Sequence, residues 1–180
     1  MKLTTRQLTT AALIAAMYAT LTVALSPFSF GTAQVRIAEA LTLLPIFSPV
    51  AIWGVTLGCA LSNIIGVMTG ANILGVLDVI FGTAATFIAA VLSYKLRNVR
   101  FMGLPMLSTI PPIILNGLIV GGELTVLIAG GWNTKIFIIQ SISVAVGEAV
   151  SCLIFGLVLV YALEKTGVSK ILFGKIVSTQ

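Results

Sequence analysis

The chain has 180 residues, of which 8% are charged and 58% hydrophobic, with a formal net charge of +5. A soluble domain carries about 25% charged residues and at this size exposes much of its surface, so a soluble globule is excluded. A disordered chain is excluded too, because such chains are poor in apolar residues. What remains is an integral membrane protein, with room for at most six or seven spans of about 20 residues and none for a separate ATP-hydrolysing domain.

The first apolar segment runs from 8 to 25, behind Lys2 and Arg6. Its charge pattern is that of a signal peptide, but further apolar segments follow, so an uncleaved first span is expected. Ala11, Ala12, Ala15, Ala16 and Ala19 form a stripe of small residues on it, which suits either ordinary packing or docking of a separate membrane subunit. Ser26-Pro27 ends the span and a polar loop reaches Arg36. The stretch Ile37–Met68 contains one charge, Glu39. As a single helix it would measure roughly 48 Å, too long for a core of about 30 Å. Pro45 and Pro49 interrupt the helical ladder, so the stretch divides into a short second span, 37–47, and a third, 50–66. A Gly/Asn turn precedes the fourth span, 76–94, which Lys95, Arg97 and Arg100 close. The fifth span, 104–129, carries Pro111-Pro112, and the sixth, 136–163, precedes a basic tail. The expected architecture is a single all-α domain of six transmembrane helices over residues 1–180, with both termini cytoplasmic.

Charge supports that orientation. Six spans put Lys2, Arg6, Lys95, Arg97, Arg100, Lys165, Lys170 and Lys175 on one side and only Arg36 and Lys135 on the other. Treating Ile37–Met68 as one span spoils the asymmetry, and basic residues favour the cytoplasmic side. The same rule explains the positive net charge without a nucleic-acid partner. No internal repeat is apparent, which argues against the inverted-repeat transporters.

Four acids lie where acids are expensive: Glu39, Asp78, Glu123 and Glu148. Ionisable groups inside a membrane cost roughly 2.5–3.5 kcal/mol each and face the interior or a cavity. Glu148 is deep in the sixth span, with Asn116 on the fifth as a candidate partner. Asn116 and Glu123 are two turns apart and share a helix face, flanked by Gly117, Gly121 and Gly122. That arrangement reads either as a polar cavity wall or as a tight helix contact. Asp78 opens its helix, where the dipole also favours a carboxylate. Arg36 and Glu39 are spaced for an i, i+3 ion pair, either structural or walling a site open to the outside. Trp132 is an interfacial anchor or a stacking platform. Only Arg36 is available to balance the four acids, so a cationic or donor-rich ligand is expected. The chain has no histidine and no metal, nucleotide or hydrolase motif, so neither a cofactor nor enzymatic activity is expected. Cys59 and Cys152 are placed for neither a disulfide nor zinc.

Residues 35–42 (Val-Arg-Ile-Ala-Glu-Ala-Leu-Thr) with Leu44-Pro45, residues 77–86 (Leu-Asp-Val-Ile-Phe-Gly-Thr-Ala-Ala-Thr) and residues 116–120 (Asn-Gly-Leu-Ile-Val) resemble the QueT family of queuosine-precursor transporters. The resemblance covers roughly 5–165. It implies the substrate-binding S component of an energy-coupling factor (ECF) importer in the bacterial cell membrane, with a site facing outward. It further implies a transmembrane coupling subunit docked on the alanine stripe and two cytoplasmic ATPases. The implied ligand is a 7-deazaguanine derivative. Glu39, Asp78, Glu123 and Glu148 would accept its N–H donors beside Arg36. Asn116 and Gln140 would supply amides and Trp132 a stacking surface. An S component for another vitamin and a non-transport membrane scaffold are the alternatives.

Overall fold

A computed structural model describes residues 4–31 and 34–174. Lys2 and Lys175, both counted in the charge asymmetry, lie outside the described residues. The described chain is all-helical. α1 spans Thr5–Ala24 and starts with a capping box between Thr4 and Gln7, which satisfies two orphan donors reciprocally. A single turn, α2 (Ser26–Ser29), follows. Next come a 3-10 helix (Ile37–Ile46), α3 (Val50–Met68) and α4 (Val76–Lys95). A 3-10 turn (Met106–Thr109) runs straight into α5 (Ile110–Ala129). α6 (Thr134–Ala149), a π-helical stretch (Val150–Gly156) and α7 (Leu157–Lys165) are continuous, and α8 (Val168–Phe173) ends the described chain.

Among the described residues, five helices are long and apolar enough to cross a membrane: Thr5–Ala24, Val50–Met68, Val76–Lys95, Met106–Ala129 and Thr134–Lys165. The expected second span is the 3-10 helix of 10 residues. At about 2.0 Å per residue it is roughly 20 Å long, short of the apolar core. The break falls at the prolines, as the sequence indicates: the 3-10 helix stops at Ile46 and α3 starts after Pro49.

α1 packs on α3, α3 on α4, α4 on α5 and α5 on α6, while the 3-10 helix touches α1, α3, α4, α7 and the π-helical stretch. It is therefore the central element, and every residue from Ala38 to Ile46 is buried. Its Leu41, Leu43, Leu44 and Ile46 form the main core with Ile14, Tyr18, Val55, Leu157 and Val160. Outside this core the usual polarity is inverted. Thr22, Ser62, Asn63, Asp78 and Thr86 are completely buried, while Ile80, Ile139 and Val158 are exposed. That distribution is unfavourable in water and natural in lipid, which cannot hydrogen-bond to a polar surface.

The helices approach closely where side chains are smallest. A Cβ on Gly58 would stand 2.9 Å from the Ala15 carbonyl oxygen, and one on Gly54 3.0 Å from that of Ala11. Ala11, Ala15 and Ala19 are accordingly buried and only Ala12 and Ala16 of the stripe stay exposed. Most of the expected docking stripe is thus taken up by α1–α3 packing within the chain. On α5, a Cβ at Gly121 would stand 2.7 Å from Ser141 Cα, and one at Gly117 would stand 3.1 Å from Ala145 Cβ. These two glycines serve the α5–α6 contact rather than a ligand. Pro111-Pro112 frees carbonyls one turn earlier, and that of Ser108 accepts the Ser93 hydroxyl at 2.7 Å, tying α5 to α4.

Candidate functional site

Arg36 lies just before the 3-10 helix, with backbone angles that are not helical (φ −89°, ψ 89°). Helical spacing therefore does not apply to it, and the expected Arg36–Glu39 pair is replaced by another. Arg36 Nη2 reaches Asp78 Oδ2 on α4 at 3.2 Å, with both side chains buried. Asp78 is in the first turn of α4, behind Gly75, whose φ of 66° only glycine adopts without strain. The same Oδ2 accepts Asn72 Nδ2 at 2.8 Å, and the Asp78 carbonyl accepts Asn63 Nδ2 at 2.8 Å. Arg36 Nη1 points to Cys59 Sγ at 3.9 Å, and the Phe30 ring lies 5.5 Å from the guanidinium carbon. The pair thus joins the segment before the 3-10 helix to the α3–α4 turn.

Glu39 faces the bundle interior and is completely buried. Its Oε1 accepts the Tyr18 hydroxyl from α1 and the Thr86 hydroxyl from α4 at 3.3 Å. Its backbone carbonyl accepts the Thr42 hydroxyl at 2.5 Å. On the opposite side Asn116 and Glu123 project from α5, and Glu148 projects from the end of α6, where the π-helical stretch begins. α5 packs against both α4 and α6, and the π-helical stretch packs against the 3-10 helix, which brings together the elements that carry Asp78, Asn116, Glu123, Glu148 and Glu39. Gly147 admits the backbone of the preceding loop beside Glu148: a Cβ there would collide with the Gln34 carbonyl and stand 3.3 Å from Val35 Cα.

The elements that carry six expected site residues therefore converge: Arg36, Glu39, Asp78, Asn116, Glu123 and Glu148. Many of their polar atoms are buried without a hydrogen-bonding partner among the described residues: Glu39 Oε2, Asp78 Oδ1, both Glu123 oxygens, Glu148 Oε2, Asn116 Nδ2 and Arg36 Nε. Gln34 Nε2 and Asn63 Oδ1, beside them, are also unpartnered. Each such group costs on the order of 1–3 kcal/mol when left unsatisfied. Acceptors predominate, so the arrangement complements a ligand rich in N–H donors or positively charged. Trp132 is not drawn in: it is exposed in the α5–α6 turn, 4.8 Å from the Phe137 ring. Gln140 is half-buried on α6, and its side chain makes no hydrogen bond among the described residues.

Tyr18, Gln34, Asn63, Asn72 and Thr86 belong to the cluster and were not singled out by sequence. Asn63 gives the same signal as Asn116, a lone amide in an apolar segment. Tyr18 and Thr86 are ordinary in membrane helices, and only their partner Glu39 marks them. The remaining acid, Glu164, at the end of α7, accepts two bonds from Arg100, of 3.0 and 2.6 Å, at a half-exposed site. Cys59 and Cys152 are free and buried. A groove of about 410 Å³ lies elsewhere, between α1, the 3-10 helix, α7 and α8, lined by Leu13, Met17, Leu44, Leu163 and Phe173.

The model of a protein family described as QueT transporter matches residues 8–165. No curated protein and no solved structure matches the chain significantly.

Proposed function

The chain belongs to the QueT transporter family, and from that premise we propose that it is the substrate-binding S component of an ECF-type ATP-driven importer, taking up a 7-deazaguanine precursor of queuosine. The observation that carries this reading is the convergence of four buried acids whose free oxygens outnumber the donors available to them. A deazaguanine presents adjacent N–H donors on its pairing edge, and a carboxylate accepts both in one plane. Hydrogen bonds to charged acceptors are about twice as strong as neutral ones, and more so away from water. Glu39, Asp78, Glu123 and Glu148 would be the acceptors, with Asn116 as an amide for the ring carbonyl. Arg36 completes the site from the outer side. Gln140 and Trp132 would serve only at its margin.

In this reading the chain is one six-span domain in the bacterial cell membrane. The buried 3-10 helix is the short second span, and both termini are cytoplasmic. Energy comes from two cytoplasmic ATPases through a coupling subunit, which would dock on the face of α1 that carries the exposed Ala12 and Ala16. The test is mass spectrometry of small molecules that co-purify with the chain, followed by calorimetric titration with a 7-deazaguanine. A co-purified deazaguanine that rebinds stoichiometrically supports the proposal. A different vitamin in the preparation, or no binding of any deazaguanine, refutes it.

A further inference from the structure

The four acids are served by one guanidinium, and it is committed. Arg36 is buried, held on Asp78 at 3.2 Å, and Asn72 donates to the same oxygen at 2.8 Å. Asn63 fixes the Asp78 backbone from α3, and Phe30 covers the guanidinium. Yet Arg36 Nε and Asp78 Oδ1 both have no partner among the described residues, so each member of the pair keeps a buried polar atom unused. Glu123, on α5 packed against α4, has two oxygens without a partner among the described residues. The pair is thus neutral as a unit but places a fixed positive charge beside the free acids.

Resting on the function proposed above, we propose that Arg36 is a specificity-determining residue: as an internal counter-ion positioned by Asp78 and Asn72, it sets how strongly the site favours a cationic over a neutral ligand. The remaining acids attract an ammonium group, and Arg36 opposes it. Removing the guanidinium leaves one more uncompensated carboxylate, while removing the Asp78 charge leaves the guanidinium unopposed. The two changes must therefore shift charge preference in opposite directions, and together they must cancel. For an ammonium roughly 8 Å from the altered charge at an effective dielectric near 20, each shift is about 30-fold in relative affinity.

The experiment titrates the full chain in detergent with two probes, 7-deazaguanine bearing a 7-aminomethyl group, a cation, and unsubstituted 7-deazaguanine, which is neutral. Arg36→Gln should raise the ratio of cation to neutral affinity about 30-fold, and Asp78→Asn should lower it by a similar factor. The double variant and Arg36→Lys should keep the parent's ratio. A purely structural pair would weaken both probes alike, leaving all ratios equal, and that result overturns the inference while the proposed function stands. A parent that binds neither probe refutes the proposed function, and this inference falls with it. If Arg36→Gln does not fold, comparing Asp78→Asn with the double variant gives the same test.

Discussion

Glu39 carries a division of labour that one substitution can expose. Its Oε1 is used by the fold, accepting the Tyr18 and Thr86 hydroxyls, while Oε2 is buried with no partner among the described residues. In Glu39→Gln the side chain keeps its shape. The amide oxygen can go on accepting from Tyr18 and Thr86, and the new NH2 takes the place of Oε2. The two internal bonds weaken on losing the charge, but a buried uncompensated carboxylate is also removed, which offsets that loss. We predict an unfolding temperature in detergent equal to or above that of the parent. Binding should behave oppositely. A donor now faces the ligand's donors, costing about 1–3 kcal/mol, or roughly ten- to hundredfold in affinity for a 7-deazaguanine. Tyr18→Phe makes the complementary change. It keeps the ring in the core and deletes a hydrogen bond to a charged group, so about 1.5–3 kcal/mol of stability is lost. Its effect on affinity should stay below about tenfold, because Oε2 is untouched. Thermal unfolding and calorimetric titration of both variants read the two axes. If Glu39→Gln destabilises the chain and binds ligand like the parent, Glu39 is a structural residue and the argument from its free oxygen is wrong.

Two other outcomes follow from the packing. Ala12→Leu with Ala16→Leu, on the exposed face of α1, should abolish uptake in cells that carry the whole transporter while leaving ligand affinity of the purified chain within about twofold. Loss of affinity, or full uptake, would contradict docking there. For topology, Thr69→Cys and Asn98→Cys place single exposed reporters on the two sides expected from the charge asymmetry, with the native cysteines buried. An impermeant thiol reagent added to intact cells should label only Thr69→Cys, and labelling of Asn98→Cys from outside would overturn the orientation.

Composition alone determined that this is a membrane protein, because so few charges cannot cover a water-facing surface. Hydropathy located the long helices to within a few residues, and Pro45 and Pro49 marked the real interruption. The acids were legible as site candidates because each is costly in lipid unless something inside the bundle receives it. Their partners were not legible. Arg36 and Glu39 are three apart in sequence, yet Arg36 lies outside the helix and crosses to Asp78, which depends on how the 3-10 helix sits against α4. The alanine stripe was visible, but which of its sides faces α3 is a matter of rotation about the helix axis, and small residues serve either side equally well. Trp132 and Glu123 are both near the α5–α6 turn. Only the packing of α5 against α6, allowed by Gly117 and Gly121, turns the carboxylate inward while the indole stays outside. Sequence specifies which groups must be sheltered from lipid; the tertiary structure decides which of them share a shelter, because that depends on contacts between helices far apart along the chain.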